Sequence, residues 1–279
     1  MPSTLELPRR QLLAGGIALA ALPAEASQIT TPAQGLTAGE VSVPVGDFRM
    51  PAYRAQPAQA KGRLPVVLLV SEIFGVHAHI ADVARRFAHA GYLCIAPELF
   101  VRQGDAARQP DVQTLVREVI SKVPDAQVMA DLDACLAWAG ANGGDTRRVA
   151  VTGFCYGGRI TWLYSAHNPA VKAGVAWYGR LVGNASANTP KHPVDRVDQL
   201  HGPVLGLYGG QDSGIPNDSV ARMQNALQGS KNPAAARSRF VLYRDAGHAF
   251  HADYRPSYRE ADARDGWQRG LAWFKQHGV

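Results

Sequence analysis

Short apolar runs alternate with segments of helical periodicity along most of this chain. The run Leu64–Val70 (LPVVLLV) contains no polar side chain, and runs of similar character return at Tyr92–Pro97, Val171–Trp177 and Val204–Tyr208. A strand that is apolar on both faces is typical of a parallel sheet covered by helices on both sides. The alternation therefore predicts an α/β fold with a doubly wound, mostly parallel sheet and helices on both faces.

The remaining segments complete this layout. An edge strand is predicted at Val41–Val45, because its apolar residues alternate with polar ones. Further strands are predicted at Arg148–Gly153 and Phe240–Tyr243. Helices are predicted over residues 111–123 and 125–140, near Ser219–Leu227 and around Trp267–Phe274. Another helix is predicted to follow the strand at Arg148–Gly153 and to end at about His167. A chain of 279 residues that is 46% hydrophobic suits one such domain. Ligands of these sheets bind beyond the carboxyl ends of the strands, so catalytic residues are expected there.

The hexapeptide GFCYGG, residues 153–158, lies between a predicted strand and a predicted helix. It matches the glycine-x-nucleophile-x-glycine turn of hydrolases, with Cys155 as the nucleophile. The helix that begins there directs its positive end at Cys155, which favours a thiolate, and the backbone N–H of Tyr156 would face a developing oxyanion. The alternative is a buried cysteine in a glycine-rich turn, but the strand-turn-helix context favours the nucleophile.

Two polar residues that follow later strands complete a predicted catalytic triad. Asp212 follows the strand at Val204–Tyr208, and His248 follows the strand at Phe240–Tyr243. The order nucleophile, acid, base along the chain is that of α/β-hydrolases. We predict that His248 takes the thiol proton and that Asp212 orients its imidazole. Three rival residues fit these positions less well: Asp195, Asp245 and His251.

The other two cysteines, Cys94 and Cys135, lie in apolar patterns and are predicted to be buried, inert thiols. The odd number of cysteines excludes a fully paired disulfide framework. A redox thiol protein would need a resolving cysteine near Cys155, and none is close in sequence.

No metal, cofactor or nucleic-acid partner is expected. The pairs His77/His79 and His248/His251 could each supply two metal ligands, but no third or fourth ligand is evident. The formal charge of +6 is spread along the chain without a run of five Lys or Arg residues. This distribution argues against a nucleic-acid surface and mildly favours small anionic molecules. The predicted triad needs no cofactor.

The N-terminus has the three regions of a secretory signal peptide. Arg9 and Arg10 precede the apolar stretch Leu12–Leu22, and a small-x-small site follows at residues 24–26. An arginine pair directly before the apolar run indicates the twin-arginine route, which exports folded proteins. The run is too short to span a bilayer comfortably, so no stable membrane insertion is expected after its removal. We therefore expect a periplasmic or secreted protein.

These features divide the chain into three parts. Residues 1–26 are the predicted signal peptide. Residues 27–40 are small and polar and are predicted to be a linker, and residues 41–279 form the predicted hydrolase domain.

The motifs resemble those of the dienelactone hydrolase family, whose named activity is carboxymethylenebutenolidase. The resemblance covers about residues 41–277. It rests on the GFCYGG, GGQD and AGHAF segments and on SEIFG, residues 71–75, after the first buried strand. It implies the α/β-hydrolase fold and the triad already described. It also implies that Glu72 contacts the resting thiol and takes part in activating it, and that the backbone N–H of Ile73 is the second oxyanion donor.

In that family arginines hold the substrate carboxylate, and the resemblance assigns the first of them to Arg102. The second usually lies four residues after the catalytic histidine, where this chain has Ala252, and Arg255 follows three residues later. The resemblance thus implies a small-molecule ester or lactone that can carry a carboxylate, with Arg102 and Arg255 as its binding residues.

The sequence therefore predicts a hydrolase of small esters or lactones that acts through an acyl-enzyme on Cys155. Three alternatives stay open: a general exported carboxylesterase, a non-catalytic ligand-binding protein, and a redox thiol protein on the same fold. A binding protein would not need Asp212 and His248 at those two strand ends.

Overall fold

The structure, a computed structural model, describes residues 28–279. The predicted signal peptide therefore lies outside the described residues. The described part contains eight strands: β1 Leu36–Val45, β2 Phe48–Pro57, β3 Leu64–Val70, β4 Leu93–Pro97, β5 Gly144–Phe154, β6 Val171–Trp177, β7 Val204–Gly209 and β8 Arg239–Tyr243. They form one sheet in the order β1-β2-β4-β3-β5-β6-β7-β8.

Helices connect most of these strands. The described α-helices are α1 Ala78–His89, α2 Val112–Glu118, α3 Asp125–Ala141, α4 Tyr156–His167, α5 Asn217–Gly229, α6 Pro233–Arg237 and α7 Glu260–Gln276. Short 3₁₀ turns lie at Ala106–Arg108, Ile120–Lys122 and Pro193–Gln199. Within residues 28–279, none of the helices combines the length and the apolar character needed to cross a membrane.

The sheet is parallel over most of its width and antiparallel at one edge. Strands β1 and β2 form a hairpin, and β2 pairs antiparallel with β4. Each of the other neighbouring pairs, from β4 across to β8, is parallel. The predicted doubly wound, mostly parallel α/β sheet is thereby confirmed.

The two faces of the sheet carry separate apolar cores. Along β3, Val67 and Leu69 join one core, whereas Val66, Leu68 and Val70 join the other. This division follows from the alternation of side chains along a strand. Helices α1 and α7 contribute apolar residues to the first core, and α3 contributes to the second. The prediction of helices on both faces is therefore confirmed.

Cys94 and Cys135 lie on opposite sides of the sheet. Cys94 belongs to the first core and Cys135 to the second, and both are free, buried thiols. Burial raises the pKa of both side chains, which keeps them protonated. The prediction that these two cysteines are buried is confirmed.

The segment predicted to be a linker is partly structured. Strand β1 begins at Leu36, so the linker predicted over residues 27–40 is wrong from that residue onward. Before the strand, the hydroxyl of Thr31 donates to Asp82 at 3.0 Å, and its carbonyl accepts from Arg85 Nε at 2.8 Å. Asp82 is only 1% exposed, and a buried carboxylate needs such donors. The segment is therefore held against α1.

Candidate active site

The candidate nucleophile occupies a strained turn between β5 and α4. Cys155 has φ of 55° and ψ of −108°, a conformation that residues other than glycine rarely adopt. Its N–H donates to the carbonyl of Trp177 at 3.0 Å. A Cβ on Gly157 would lie 2.1 Å from the carbonyl oxygen of Val70, and one on Gly153 would lie 2.5 Å from the backbone of Gly157. The glycines of GFCYGG are therefore required by close backbone approach.

Asp212 and His248 meet where β7 and β8 end. Nδ1 of His248 lies 2.7 Å from Oδ2 of Asp212. The second oxygen, Oδ1, accepts the N–H of Gly214 at 2.9 Å and that of Ile215 at 3.1 Å. Asp212 is 4% exposed, so its carboxylate is fixed by three partners and can hold the imidazole in one orientation.

The imidazole of His248 also interacts with the thiol of Cys155. Burial alone would lower the pKa of His248, but its hydrogen bonds with Asp212 and Cys155 raise that pKa to about 10. The ring is therefore positively charged at neutral pH. A protonated imidazole beside Cys155 is a proton donor for a leaving group. The structure thus brings together the three residues of the predicted triad.

The two predicted oxyanion donors lie at the start of α4 and in the loop after β3. Tyr156 is the first residue of α4, and Ile73 lies in the loop after β3. The carbonyl of Ser71 accepts the N–H of Gly157 at 3.1 Å, which ties that loop to the start of α4. N–H groups in the first turn of a helix have no acceptor within the helix. The N–H of Tyr156 can therefore bind an oxyanion.

Glu72 is a buried carboxylate with two hydrogen-bond partners. Its Oε2 lies 3.1 Å from Nε2 of His77 and accepts the hydroxyl of Tyr254 at 3.1 Å. Burial would raise the pKa of Glu72, but the bond to His77 and nearby positive charges lower it to about 2. The resemblance implies a contact with the resting thiol. Here the carboxylate is ionised and bound by His77 and Tyr254, and the thiol interacts with His248.

Arg255 belongs to the same group of side chains. Its Nε donates to the hydroxyl of Tyr254 at 3.1 Å, and its guanidinium carbon lies 4.9 Å from the ring centroid of Phe74. Its positive charge is one of those that lower the pKa of Glu72. The structure thus places Arg255 beside Glu72.

Arg102 is paired with a buried carboxylate. Its guanidinium forms an ion pair with Asp131 on α3 and lies 4.7 Å from the ring centroid of Phe48. Asp131 is 0% exposed, and burial raises its pKa against the opposing effect of Arg102. A buried carboxylate requires such a partner. These contacts do not support the expected role of Arg102 in substrate binding, because Asp131 already neutralises its charge.

Tyr178 is a site residue that the sequence patterns did not single out. It directly follows β6, has φ of 36°, and packs edge-on to His248 with ring centroids 5.2 Å apart. It is fully buried, and its hydroxyl has no hydrogen-bond partner among the described residues. Burial raises the pKa of Tyr178, and the neighbouring Glu72 and Cys155 raise it further. A position just after a buried strand, the signal that identified Asp212, would have identified Tyr178 as well.

Two of the three rival residues, His251 and Asp195, have other environments. His251 is 2% exposed and stacks on Phe154 with centroids 4.8 Å apart. Asp195 accepts the N–H of His192 at 2.9 Å at the start of a 3₁₀ turn. In the part of the chain that the structure describes, no group of three or more His, Cys, Asp or Glu side chains is arranged to hold a metal ion.

Comparison with known proteins identifies the family and supports the fold. The sequence model of the dienelactone hydrolase family matches residues 50–278. The chain belongs to the dienelactone hydrolase family. It is therefore a hydrolase with the α/β-hydrolase fold, and the resemblance based on its motifs is confirmed.

Relatives of this dienelactone hydrolase family member match nearly its whole length. A protein of Salmonella typhimurium, named "Putative carboxymethylenebutenolidase", is 56% identical over 263 residues, or 94% of this chain and 96% of the relative. A protein of Methylorubrum extorquens with the same name is 58% identical over 269 residues, or 96% of this chain and 91% of the relative. A crystal structure of a "Putative Dienelactone Hydrolase" from Klebsiella pneumoniae has a TM-score of 0.83 and 58% identity, and covers 86% of this chain and 99% of its own.

Proposed function

We propose that this chain hydrolyses small esters or lactones through a Cys155–His248–Asp212 triad and an acyl-enzyme. One observation carries the proposal. The imidazole of His248 lies 2.7 Å from the Asp212 carboxylate, interacts with the Cys155 thiol, and has a pKa of about 10. This arrangement supplies a nucleophile, a proton donor and an orienting carboxylate in one place. The relatives named carboxymethylenebutenolidase support a lactone as one substrate class.

In the first step, the sulfur of Cys155 attacks the carbonyl carbon of the substrate. The carbonyl oxygen becomes an oxyanion, which the N–H groups of Tyr156 and Ile73 bind. The carbon–oxygen bond of the ester then breaks, and the leaving oxygen takes a proton from His248. In a lactone this step opens the ring, so the alcohol and the thioester remain parts of one molecule.

In the second step, water attacks the thioester. His248 is neutral after it has given up its proton, and the sulfur now carries no negative charge, so the imidazole can accept a proton from water. The resulting hydroxide adds to the carbonyl carbon, and the carbon–sulfur bond breaks. Cys155 leaves as a thiolate beside the protonated His248. Asp212 holds the imidazole through both steps.

The surroundings of Glu72 support a substrate that carries a carboxylate. A guanidinium binds a carboxylate through a fork of donors. The Nε of Arg255 is bonded to Tyr254, and the two terminal nitrogens of its fork take no part in that bond. Arg255, and not Arg102, is therefore the residue that we assign to the substrate carboxylate.

A panel of lactones and short chromogenic esters tests the proposed reaction. Hydrolysis is measured before and after treatment with iodoacetamide, which alkylates accessible thiols. Because Cys94 and Cys135 are buried, one alkyl group per chain is expected, on Cys155, with complete loss of activity. The Cys94→Ala variant is the matched control and should lose activity in the same way. Full activity after complete alkylation of Cys155 would contradict the mechanism.

The same panel separates the proposal from its alternatives. A general carboxylesterase would hydrolyse neutral esters as efficiently as carboxylate-bearing lactones. A non-catalytic binding protein or a redox thiol protein would hydrolyse neither.

We further propose that the chain is exported and that residues 1–26 are removed. The support is the arginine pair, the apolar stretch Leu12–Leu22 and the small-x-small site that follows. N-terminal sequencing of protein from the native host should give a first residue near Ser27. An intact Met1 or Pro2 on the mature protein would contradict export with cleavage.

A further inference from the structure

A concavity lies between the segment before β1, helix α1 and helix α7. Its volume is about 220 Å³. Ile29, Ala263 and Trp267 form the apolar part of its wall, and Tyr258 and His251 add polar groups to it. Its lining includes none of the triad residues. The concavity is therefore separate from the proposed catalytic site, and the inference drawn from it does not depend on the hydrolase reaction.

His251 is the buried polar group of this wall. It is 2% exposed, and its Nδ1 has no hydrogen-bond partner among the described residues. Burial lowers the pKa of His251 well below its usual value, and the neighbouring His79 and Arg86 lower it further. The ring is therefore neutral and offers one donor and one acceptor. A hydroxyl group, which can both donate and accept, is the matching partner.

The charged groups at the concavity are already balanced. Arg86 is bound by Asp82 and by Asp253, each at 2.6 Å. Arg264 lies 3.6 Å from Glu260 on the same helix. Because Arg86 and Arg264 are both paired with carboxylates, neither needs an anionic ligand. A neutral molecule therefore fits the wall better than a carboxylate or a phosphate.

The size and the wall of the concavity suit one aromatic ring. A dry cavity of about 150 Å³ is large enough for benzene, and this concavity is larger. The indole of Trp267 has its centroid 6.4 Å from that of His251, and Tyr258 adds a further ring to the wall. An aromatic ligand can pack on such side chains edge to face or offset-stacked.

We propose that this concavity is a binding site for a neutral, single-ring aromatic molecule with a hydroxyl group, of the phenol class. The ring packs among Trp267, Tyr258 and Ala263, and the hydroxyl group hydrogen-bonds to the imidazole of His251. His251 in turn stacks on Phe154, the residue before Cys155, so the bound molecule lies one side chain away from the nucleophile turn.

The test uses the full chain with Cys155 alkylated, so that binding at the triad is blocked. The probe is phenol, and binding is measured by titration calorimetry and by ligand-observed NMR. We expect saturable binding of one phenol per chain with a Kd on the order of 1 mM, which is ordinary for seven non-hydrogen atoms. Absence of saturable binding would overturn the proposal.

Two substitutions locate the site. Ala263→Leu places a larger side chain in the concavity and should weaken phenol binding at least about tenfold. The matched control is Ala272→Leu on the exposed face of the same helix, which should leave binding unchanged. His251→Phe keeps the ring stacking and removes the hydrogen bond, so phenol should then bind no better than toluene. Equal phenol binding by all of these proteins would overturn the proposal.

A further measurement detects the bound molecule directly on the wild-type chain. Intermolecular NOEs from the phenol ring should reach the indole of Trp267, which is assigned by its loss in Trp267→Phe. NOEs only to the residues around His248 would show that phenol binds at the triad and would overturn the proposal.

Discussion

In the proposed mechanism, the three triad side chains at the strand ends depend on one another. The His248 ring bridges the Asp212 carboxylate and the Cys155 thiol, so the loss of one member disables the others. We expect Cys155→Ala and His248→Ala each to lower kcat by about 10⁶-fold, and Asp212→Asn by about 10⁴-fold. The double variant Cys155→Ala/His248→Ala should be no slower than either single variant. Steady-state kinetics on a short ester checks all four.

Folding should survive these substitutions, because the three residues lie beyond the strand ends and outside the two cores. Circular dichroism spectra should therefore stay near that of the wild type. If pure Cys155→Ala keeps more than a few per cent of the wild-type rate, the nucleophile is another residue.

The charge of His248 should also make stability depend on pH. Its pKa is raised to about 10 in the folded chain, against about 6.5 in an unfolded one. The folded state thus binds the proton more tightly. The stabilisation is complete below pH 6.5, declines as the pH rises, and is lost above about pH 10. Melting temperatures measured from pH 6 to 10 should fall more steeply for the wild type than for His248→Ala. Parallel curves would rule out this charge state.

Arg255 should bind the carboxylate of a charged substrate. We expect Arg255→Met to raise KM for a carboxylate-bearing lactone about tenfold or more, because a charge-assisted pair is lost. KM for a neutral ester should change little. Arg102→Met is the comparison, since Arg102 pairs with Asp131, and it should lower the melting temperature without this selectivity. Equal effects of Arg255→Met on both substrates would contradict the assignment.

How far the sequence predicts this site depends on where each contact arises. Cys155, Asp212 and His248 could be selected because each follows a recognisable apolar strand. The donors of Glu72 could not, since the Tyr254–Glu72 hydrogen bond joins residues 182 positions apart in two loops. The partner of Arg102 was equally hidden. Asp131 lies on a helix, and the sequence does not show which of its buried side chains forms an ion pair with Arg102.

At the scale of elements, the turn between β5 and α4 tolerates no side chain at Gly157. A Cβ there would lie 2.1 Å from the carbonyl oxygen of Val70 in β3. We expect Gly157→Ala to cost about 3 kcal/mol of stability and to abolish turnover, because two backbones must separate. Chemical denaturation and ester hydrolysis provide the two measurements.

Gly229, the last residue of α5, provides the matched control. A Cβ there would meet nothing within 4 Å. Gly229→Ala should therefore leave activity unchanged and keep or raise the stability, since alanine favours a helix by up to about 1 kcal/mol. A loss of stability equal to that of Gly157→Ala would show that crowding is not the cause.

Element prediction was most reliable where strands are buried on both faces. The strand at Val171–Trp177 has the bounds that its apolar run indicates. Strand β2 escaped prediction because Phe48–Pro57 contains prolines and charged residues, which are typical of loops. It is a strand nonetheless, because pairing with β1 and β4 satisfies its backbone. The helix predicted over residues 111–123 ends early, and a 3₁₀ turn follows at Ile120–Lys122.

For the whole molecule, the sheet separates two cores that should respond independently to substitution. Cys94 lies in one and Cys135 in the other. We expect Cys94→Ala and Cys135→Ala each to cost about 1–2 kcal/mol and to leave activity intact. Their effects should add in the double variant, because the two side chains lie in separate cores on opposite faces of the sheet. Denaturation midpoints of the three variants test this. A double variant that loses far more than the sum would show that the cores are coupled.

The triad draws its members from the ends of β5, β7 and β8, and β8 is the outermost strand at one edge of the sheet. Outer strands have a neighbour on one side only and fray at lower temperature than the interior. The loop that carries His248 follows that strand, so its geometry is lost as soon as β8 detaches. On gentle heating, the activity should therefore be lost reversibly at a temperature several degrees below the melting temperature measured by circular dichroism.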